Sequence, residues 1–267
     1  MNETDIANQH YLLDEQYKDG SNFAERLRIM KQMHGTPVDY TWLFQQISKT
    51  PGRRVLELGC GPGYLWQLNQ ERIPADWEIT LSDFSPGMLK EAQRNLAGIG
   101  QPFTYQVIDA QDIPYADASF DLVIAYCMLY HVPDLPRAFA EIRRVLRPDG
   151  YFYASTFSEK ILAEVAHFSR AAGIPSWLGT VDFSLENGCE KLAAVFSSVE
   201  LRHLENTLTI TAAEPLVELV RTGTTDAHGH EAKFHELNRL VQQELEQHGA
   251  IRTNVDHALF EASGFRA

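Results

Sequence analysis

The residues best spaced for chemistry are Val55-Leu56-Glu57-Leu58-Gly59-Cys60-Gly61-Pro62-Gly63, an apolar run that ends in a glycine-dense turn. Without a Cβ, glycine lets a turn bend sharply and lets a ligand approach the backbone. The spacing Gly59, Gly61, Gly63 is G-x-G-x-G, not the G-x-G-x-x-G of dinucleotide enzymes. Taken alone, it is equally compatible with a tight strand-to-helix turn that holds nothing. Asp83, twenty residues beyond Gly63, shifts that balance, because an acid there can accept hydrogen bonds from ribose hydroxyls. Asp109 heads the polar-to-apolar segment Asp109-Ala110-Gln111-Asp112-Ile113-Pro114-Tyr115, suited to edging an adenine. Further along, Tyr126-Cys127-Met128-Leu129-Tyr130-His131 gathers polarisable and aromatic groups. Histidine is the side chain whose ordinary pKa lies near neutrality, so His131 is the candidate general base, with a packing or hydrogen-bonding role as the alternative.

Elements that could position these groups follow from hydrophobic patterning. Apolar runs at 53–58, 77–82, 103–108, 120–126 and 150–156 alternate with helical patterns, which predicts βαβ units and a parallel, doubly wound α/β sheet. Thr36-Pro37 and Ser85-Pro86 each set a capping hydroxyl before a proline at the first helical position. Asp149-Gly150 is expected to close a helix over 135–146 and turn into the fifth strand. Helices are expected at 159–172 and 185–196, with a strand at 199–204. Thr211-Ala212-Ala213-Glu214 reads as a capping box, and a long helix over 230–247 precedes an apolar strand at 258–262. The expected division is a helical cover (1–35), a cofactor-binding core (36–157), a helical lid insert (158–198) and a C-terminal completion of the sheet with a helical insertion (199–267). Phe168, Ile174, Pro175, Trp177, Leu178 and Phe183 would give the lid an apolar wall around Gly173 and Gly179.

Bulk properties narrow the function classes. The chain has 267 residues, 44% of them apolar, and a formal net charge of −13, which disfavours a polyanionic partner such as nucleic acid. The basic cluster Arg143-Arg144-Arg147 falls late in a predicted helix, where cations complement the helix dipole, and is read as structural. Cys60, Cys127 and Cys189 are too far apart for a disulfide framework or a C-x-x-C metal site, and no metal is expected. His228, His230, His235, His248 and His257 fit no compact ligand set and are expected at solvent-exposed helix positions. The N-terminus is unlike a signal peptide, and the longest apolar stretch, 122–132, is too short to span a bilayer, so a cytoplasmic protein without a membrane partner is expected. A monomer or homodimer is the expected state.

The chain resembles the class I S-adenosylmethionine-dependent methyltransferases, in the branch acting on small molecules. The resemblance rests on the opening V-L-E-L-G-C-G-P-G, on Asp83-Phe84-Ser85-Pro86-Gly87-Met88-Leu89 and on Asp117-Ala118-Ser119-Phe120-Asp121. Met128-Leu129-Tyr130-His131-Val132-Pro133-Asp134 and Val145-Leu146-Arg147-Pro148-Asp149-Gly150 extend it, so that it covers about residues 37–157 closely. It implies a Rossmann-like sheet of seven strands with the last antiparallel, 258–262 being the candidate for that strand. It also implies S-adenosylmethionine as cofactor and S-adenosylhomocysteine as product. Glu57, Gly59 and Gly61 would then line the methionine side, and Asp83 would hold the ribose. Phe84 and Met88 would pack beside the adenine, Asp109, Ala110 and Gln111 would read its edge, and Tyr126 would contact the amino-acid end. From the N-terminal cover, Tyr17 and Arg26 would reach the cofactor carboxylate as the cover closes.

Methyl transfer from a sulfonium needs a positioned nucleophile and, where necessary, a base. The resemblance therefore implies a metal-independent transfer to O, N or C of a small acceptor. The fourth strand ends without a carboxylate cage for Mg²⁺, and the D/N-P-P-Y/F motif of nucleobase amino-methyltransferases is missing. A non-catalytic S-adenosylmethionine-binding partner subunit is the alternative. An NAD-dependent oxidoreductase is a third reading, disfavoured by the glycine spacing.

Overall fold

Every residue of Val55-Leu56-Glu57-Leu58 is buried, so this strand must lie inside a sheet covered on both faces. In a computed structural model, which describes residues 8–35, 39–47, 49, 53–175, 181–224 and 227–265, it does. Five parallel strands come first: β1 (Arg54–Leu58), β2 (Glu78–Asp83), β3 (Phe103–Val107), β4 (Phe120–Tyr126) and β5 (Leu146–Phe157). They are followed by β6 (Phe196–Leu204), β7 (Thr207–Ile210), β8 (Ile251–Asn254) and β9 (His257–Phe265). The main sheet has seven strands in the order β3-β2-β1-β4-β5-β9-β6, and β9 runs antiparallel to both neighbours. Strand order reverses between β1 and β4, the place where open α/β sheets bind ligands beyond their carboxyl ends.

Helices α1 (Gln9–Tyr11), continued by a π-helical turn Leu12–Gln16, α2 (Ser21–Met30) and α3 (Tyr40–Ile47) precede the sheet. The crossovers carry α4 (Tyr64–Gln67), α5 (Pro86–Leu96) and α6 (Leu135–Val145). Beyond β5 come α7 (Ala163–Ala171), α8 (Gly188–Ala193), α9 (Ala213–Thr222) and α10 (Glu231–His248). One sheet face packs Phe44, Trp66, Trp77 and Leu96 with α3 and α5, and the other packs Phe139, Ile142, Phe183 and Phe260 with α6 and α8. A third core joins Ile29 and Met33, at and just beyond the end of α2, to α7, α9, α10 and the two-stranded ribbon β7–β8. The helical insert thus divides, α7 going to the third core while Leu192 of α8 packs on the sheet.

Several boundaries move for identifiable reasons. The fifth strand begins at Leu146, opposite Phe120, and its register slips before Tyr151 pairs with Leu122, so Asp149-Gly150 lies in an irregular stretch of strand. A Cβ on Gly150 would come within 2.9 Å of the Asp121 carbonyl oxygen, which explains the glycine. The helix expected at 159–172 begins at Ala163, after Leu162 turns through a left-handed φ of 52°. The one expected at 185–196 shrinks to Gly188–Ala193, and the following strand begins at Phe196. No capping box opens α9: Ala212 is the N-cap, without a side-chain hydrogen bond, which places Glu214 one residue too early to reach back. The ribbon β7–β8 was not anticipated. Ser85 does cap α5, its Oγ accepting from Met88 N–H at 3.2 Å.

Arg144 pairs with Glu141 and Asp117 at 2.7 and 3.0 Å, and Arg143 lies over the Phe265 ring, so these members of the basic cluster tie the α6 side of the sheet together. His257 corrects the expectation for the histidines. It is buried at the start of β9 with Nδ1 3.0 Å from the Val255 carbonyl oxygen, and burial lowers its pKa. His235 and His248 are exposed on α10, His230 is half-buried, and the side chain of His228 lies outside the described residues. Thr36-Pro37, Trp177, Leu178 and Gly179 also lie outside them. Among the described residues no helix is long and apolar enough to cross a membrane.

Candidate active site

The carboxyl ends of β1, β2 and β4 open onto one cavity, enclosing about 1120 Å³ when space open to solvent is counted. Its floor is the glycine turn. Gly59 has φ +67°, and a Cβ there would sit 2.7 Å from that of Met128, so the turn packs directly on the segment after β4. Gly61 has φ +52°, and a Cβ there would meet nothing within 4 Å. The turn is also tied to β2: Cys60 N–H donates to Ser82 O at 2.8 Å and Gly61 N–H to Asp83 Oδ2 at 2.9 Å.

Three carboxylates face this cavity. Glu57 is 1% exposed, and its Oε2 accepts from Trp66 Nε1–H at 2.5 Å. Burial pushes its pKa up to about 8 against that hydrogen bond, with the nearby Asp83 adding to the rise. Asp83 also accepts from Ser85 N–H at 2.8 Å, and burial raises it to about 6 against its two backbone donors. Asp109 Oδ1 accepts from the Gln111 backbone at 2.9 Å and from its side-chain amide at 3.0 Å. Gln9 reaches Oδ2 of the same carboxylate at 3.4 Å, and Gln111 Oε1 accepts from Asp134 N–H, which fixes the amide.

The N-terminal segment closes over this floor. Ser85 Oγ donates to Tyr17 O at 2.6 Å, and Gly87 passes so close to Lys18 that a Cβ would overlap its carbonyl oxygen. Tyr17 Oη then lies 3.1 Å from His131 Nε2, with the rings edge to face at 5.3 Å. Burial raises the Tyr17 phenol and keeps it protonated, so it donates to Nε2 when the imidazole proton is on Nδ1. At the end of β4, Cys127 adopts φ +48°, donates its N–H to both oxygens of Ser155, and has its thiol raised by burial to about 11.

The structure therefore brings Glu57, Gly59, Gly61, Asp83 and Asp109 to one cavity, together with Phe84, Met88, Ala110 and Gln111. Tyr17, Tyr126 and His131 line it as well. Arg26 does not: its Nη2 donates to the Thr222 carbonyl at 3.2 Å, toward α9, because α2 packs there. Sequence reasoning missed Gln9, Phe23, Tyr40 and Tyr64, which also line the cavity. Aromatic residues mixed into the N-terminal helices were the only signal for the first of these rings. Among the described residues no three or more His, Cys, Asp or Glu side chains gather where they could hold a metal ion.

This strand order and this cavity at the switch point define the class I methyltransferase fold. The YcgJ protein of Bacillus subtilis superposes on 85% of this chain and 99% of its own, with a TM-score of 0.58 at 19% identity. Residues 56–154 match the family described as a methyltransferase domain. A demethylmenaquinone methyltransferase of Symbiobacterium thermophilum is 32% identical over 136 residues, 48% of this chain and 53% of that protein. A malonyl-acyl-carrier-protein O-methyltransferase of Serratia marcescens is 34% identical over 118 residues, 44% of each. The chain spans about half the length of these curated relatives.

Proposed function

We propose that this chain transfers the methyl group of S-adenosylmethionine to a small-molecule acceptor. The observation that carries the reading is the convergence of Glu57, Asp83 and Asp109, from three successive strand ends, on one cavity floored by Gly61. The open space at Gly61, which a Cβ would enter, fits a ligand lying against the backbone. S-adenosylmethionine supplies an electrophilic methyl carbon, leaving the protein to orient the acceptor, exclude water and take up a proton.

Asp83 would accept hydrogen bonds from the ribose hydroxyls. Glu57, Gly59 and Gly61 would line the methionine side, with Tyr126 at its amino-acid end. Phe84 and Met88 would pack beside the adenine, and Asp109, Ala110 and Gln111 would read its edge. Tyr17 would act as roof rather than floor, and His131 Nε2 is the acceptor atom for a proton released during transfer. Arg26, held by α9, is left out of this shell.

Calorimetry with S-adenosylhomocysteine tests the cofactor, and labelled S-adenosylmethionine with a metabolite extract tests transfer. Binding and a labelled product are expected. Binding of NADH without S-adenosylhomocysteine would overturn the reading, and cofactor binding with no transfer to any acceptor pool would make the chain a binding subunit.

A further inference from the structure

Beyond the residues proposed for the cofactor, the cavity has a wall of aromatic rings. Phe23 stacks on Tyr64 at 6.1 Å, Tyr64 meets Tyr40 edge to face at 6.3 Å, and Tyr40 reaches Tyr126 at 5.1 Å. All four line the cavity, as does Tyr130. Among the described residues, the hydroxyls of Tyr40 and Tyr130 have no hydrogen-bond partner. Among the described residues lining the cavity there is also no lysine or arginine, and the acidic side chains are Glu57, which burial holds largely protonated at neutral pH, Asp83 and Asp109. Arg26 acts on Tyr17 and Tyr130 from outside the lining and donates to the Thr222 carbonyl.

An anionic acceptor would therefore meet aromatic faces, which are negative, and carboxylates, with no lysine or arginine among the described lining residues to receive it. A cation would be favoured by both. The donor's single net positive charge does not balance Asp83 and Asp109 together, and a second positive charge would bring the cavity closer to neutrality. We infer that the acceptor is a small cationic amine, held against the ring faces of Phe23, Tyr40 and Tyr64 with the free tyrosine hydroxyls as partners for its polar groups. This rests on the methyltransferase reading. The ammonium first gives one N–H proton to His131 Nε2, which frees the nitrogen lone pair; that pair then forms the N–C bond to the donor methyl as the C–S bond breaks with its pair going to sulfur, and the methylated nitrogen carries the positive charge away from the sulfonium.

The test uses three near-isosteric probes: choline (cationic), 3,3-dimethylbutan-1-ol (neutral) and 3,3-dimethylbutanoate (anionic). Each is titrated calorimetrically into the full chain already saturated with S-adenosylhomocysteine. Choline is expected to bind about tenfold or more tighter than the neutral probe, the size of a partly desolvated cation–π contact, with the anion weakest. Tyr40→Leu should abolish that preference and Tyr40→Phe should keep it, while both retain S-adenosylhomocysteine binding as the check on folding. Equal or tighter binding of the neutral or anionic probe, or no binding of choline to the saturated protein, overturns the inference. Failure of S-adenosylhomocysteine to bind at the first step instead overturns the methyltransferase reading itself.

Discussion

Tyr17 Oη and His131 Nε2 lie 3.1 Å apart although 114 residues separate them in the chain. The bond joins the N-terminal segment to the turn after β4, so the roof of the cavity and its candidate base are held by one contact. His131→Ala is expected to lower turnover by roughly 10²-fold, the low end for loss of a general base, while S-adenosylhomocysteine affinity stays within a factor of about two. Tyr17→Phe keeps the ring and loses the hydroxyl, so it should shift the acidic limb of the pH–rate profile. If His131→Ala leaves turnover intact, the residue is structural.

Asp83 holds the glycine turn through Gly61 and caps the start of α5 through Ser85 N–H. Asp83→Ala should weaken S-adenosylhomocysteine binding by about 1–3 kcal/mol, from lost hydrogen bonds to a charged acceptor. Calorimetry showing unchanged affinity would mean that this carboxylate does not hold the ribose.

Glu57 makes a specific pH prediction. Its folded pKa of about 8 lies above the ordinary 4.5, so the fold favours its protonated form. That contribution is complete below about 4.5 and is lost as pH rises through about 8. Glu57→Gln can still accept from Trp66 but cannot ionise. Its melting temperature relative to wild type should therefore climb between about pH 5 and pH 9. A difference that stays flat across that range would show that Glu57 titrates normally.

Gly59 and Gly61 should separate stability from binding. Gly59→Ala forces a Cβ against Met128 at a left-handed φ and should destabilise strongly. Gly61→Ala meets no neighbour, so denaturant unfolding should show only the backbone penalty of about 1–2 kcal/mol. Its S-adenosylhomocysteine affinity should nonetheless fall at least tenfold, because the new methyl enters the cavity. The same affinity as wild type would place the ligand elsewhere.

Much of this site was legible in the sequence because it is local. The glycines follow β1 directly, Asp83 is the last residue of β2 and Asp109 lies two residues past β3, so each sits at the end of a short strand-forming run that the sequence announces. Ser85-Pro86 also gave the start of α5. The destination of Arg26 was not legible: that depends on α2 packing against α9, nearly two hundred residues later. The ribbon β7–β8 pairs Thr207 with Asn254 across an intervening helical pair, so neither four-residue strand had a local partner to announce it. Thr207-Leu208-Thr209-Ile210 does alternate polar and apolar residues, and that signal was present but short. Tyr40 and Tyr64 read as helix residues, and only tertiary packing shows that their rings share a wall.

Ile29 and Met33 share their core with Leu216 and Val220 of α9 and with Phe234 of α10. During synthesis the glycine turn and the first five strands leave the ribosome before that core can exist. The segment carrying Tyr17 emerges earlier still, yet the packing of the following helix α2 is completed only when residues past 220 are available. The cavity floor and the contacts of Tyr17 with Ser85 and His131 can therefore form on a nascent chain before the core that backs α2 exists, and roughly a quarter of the chain is translated between the two stages.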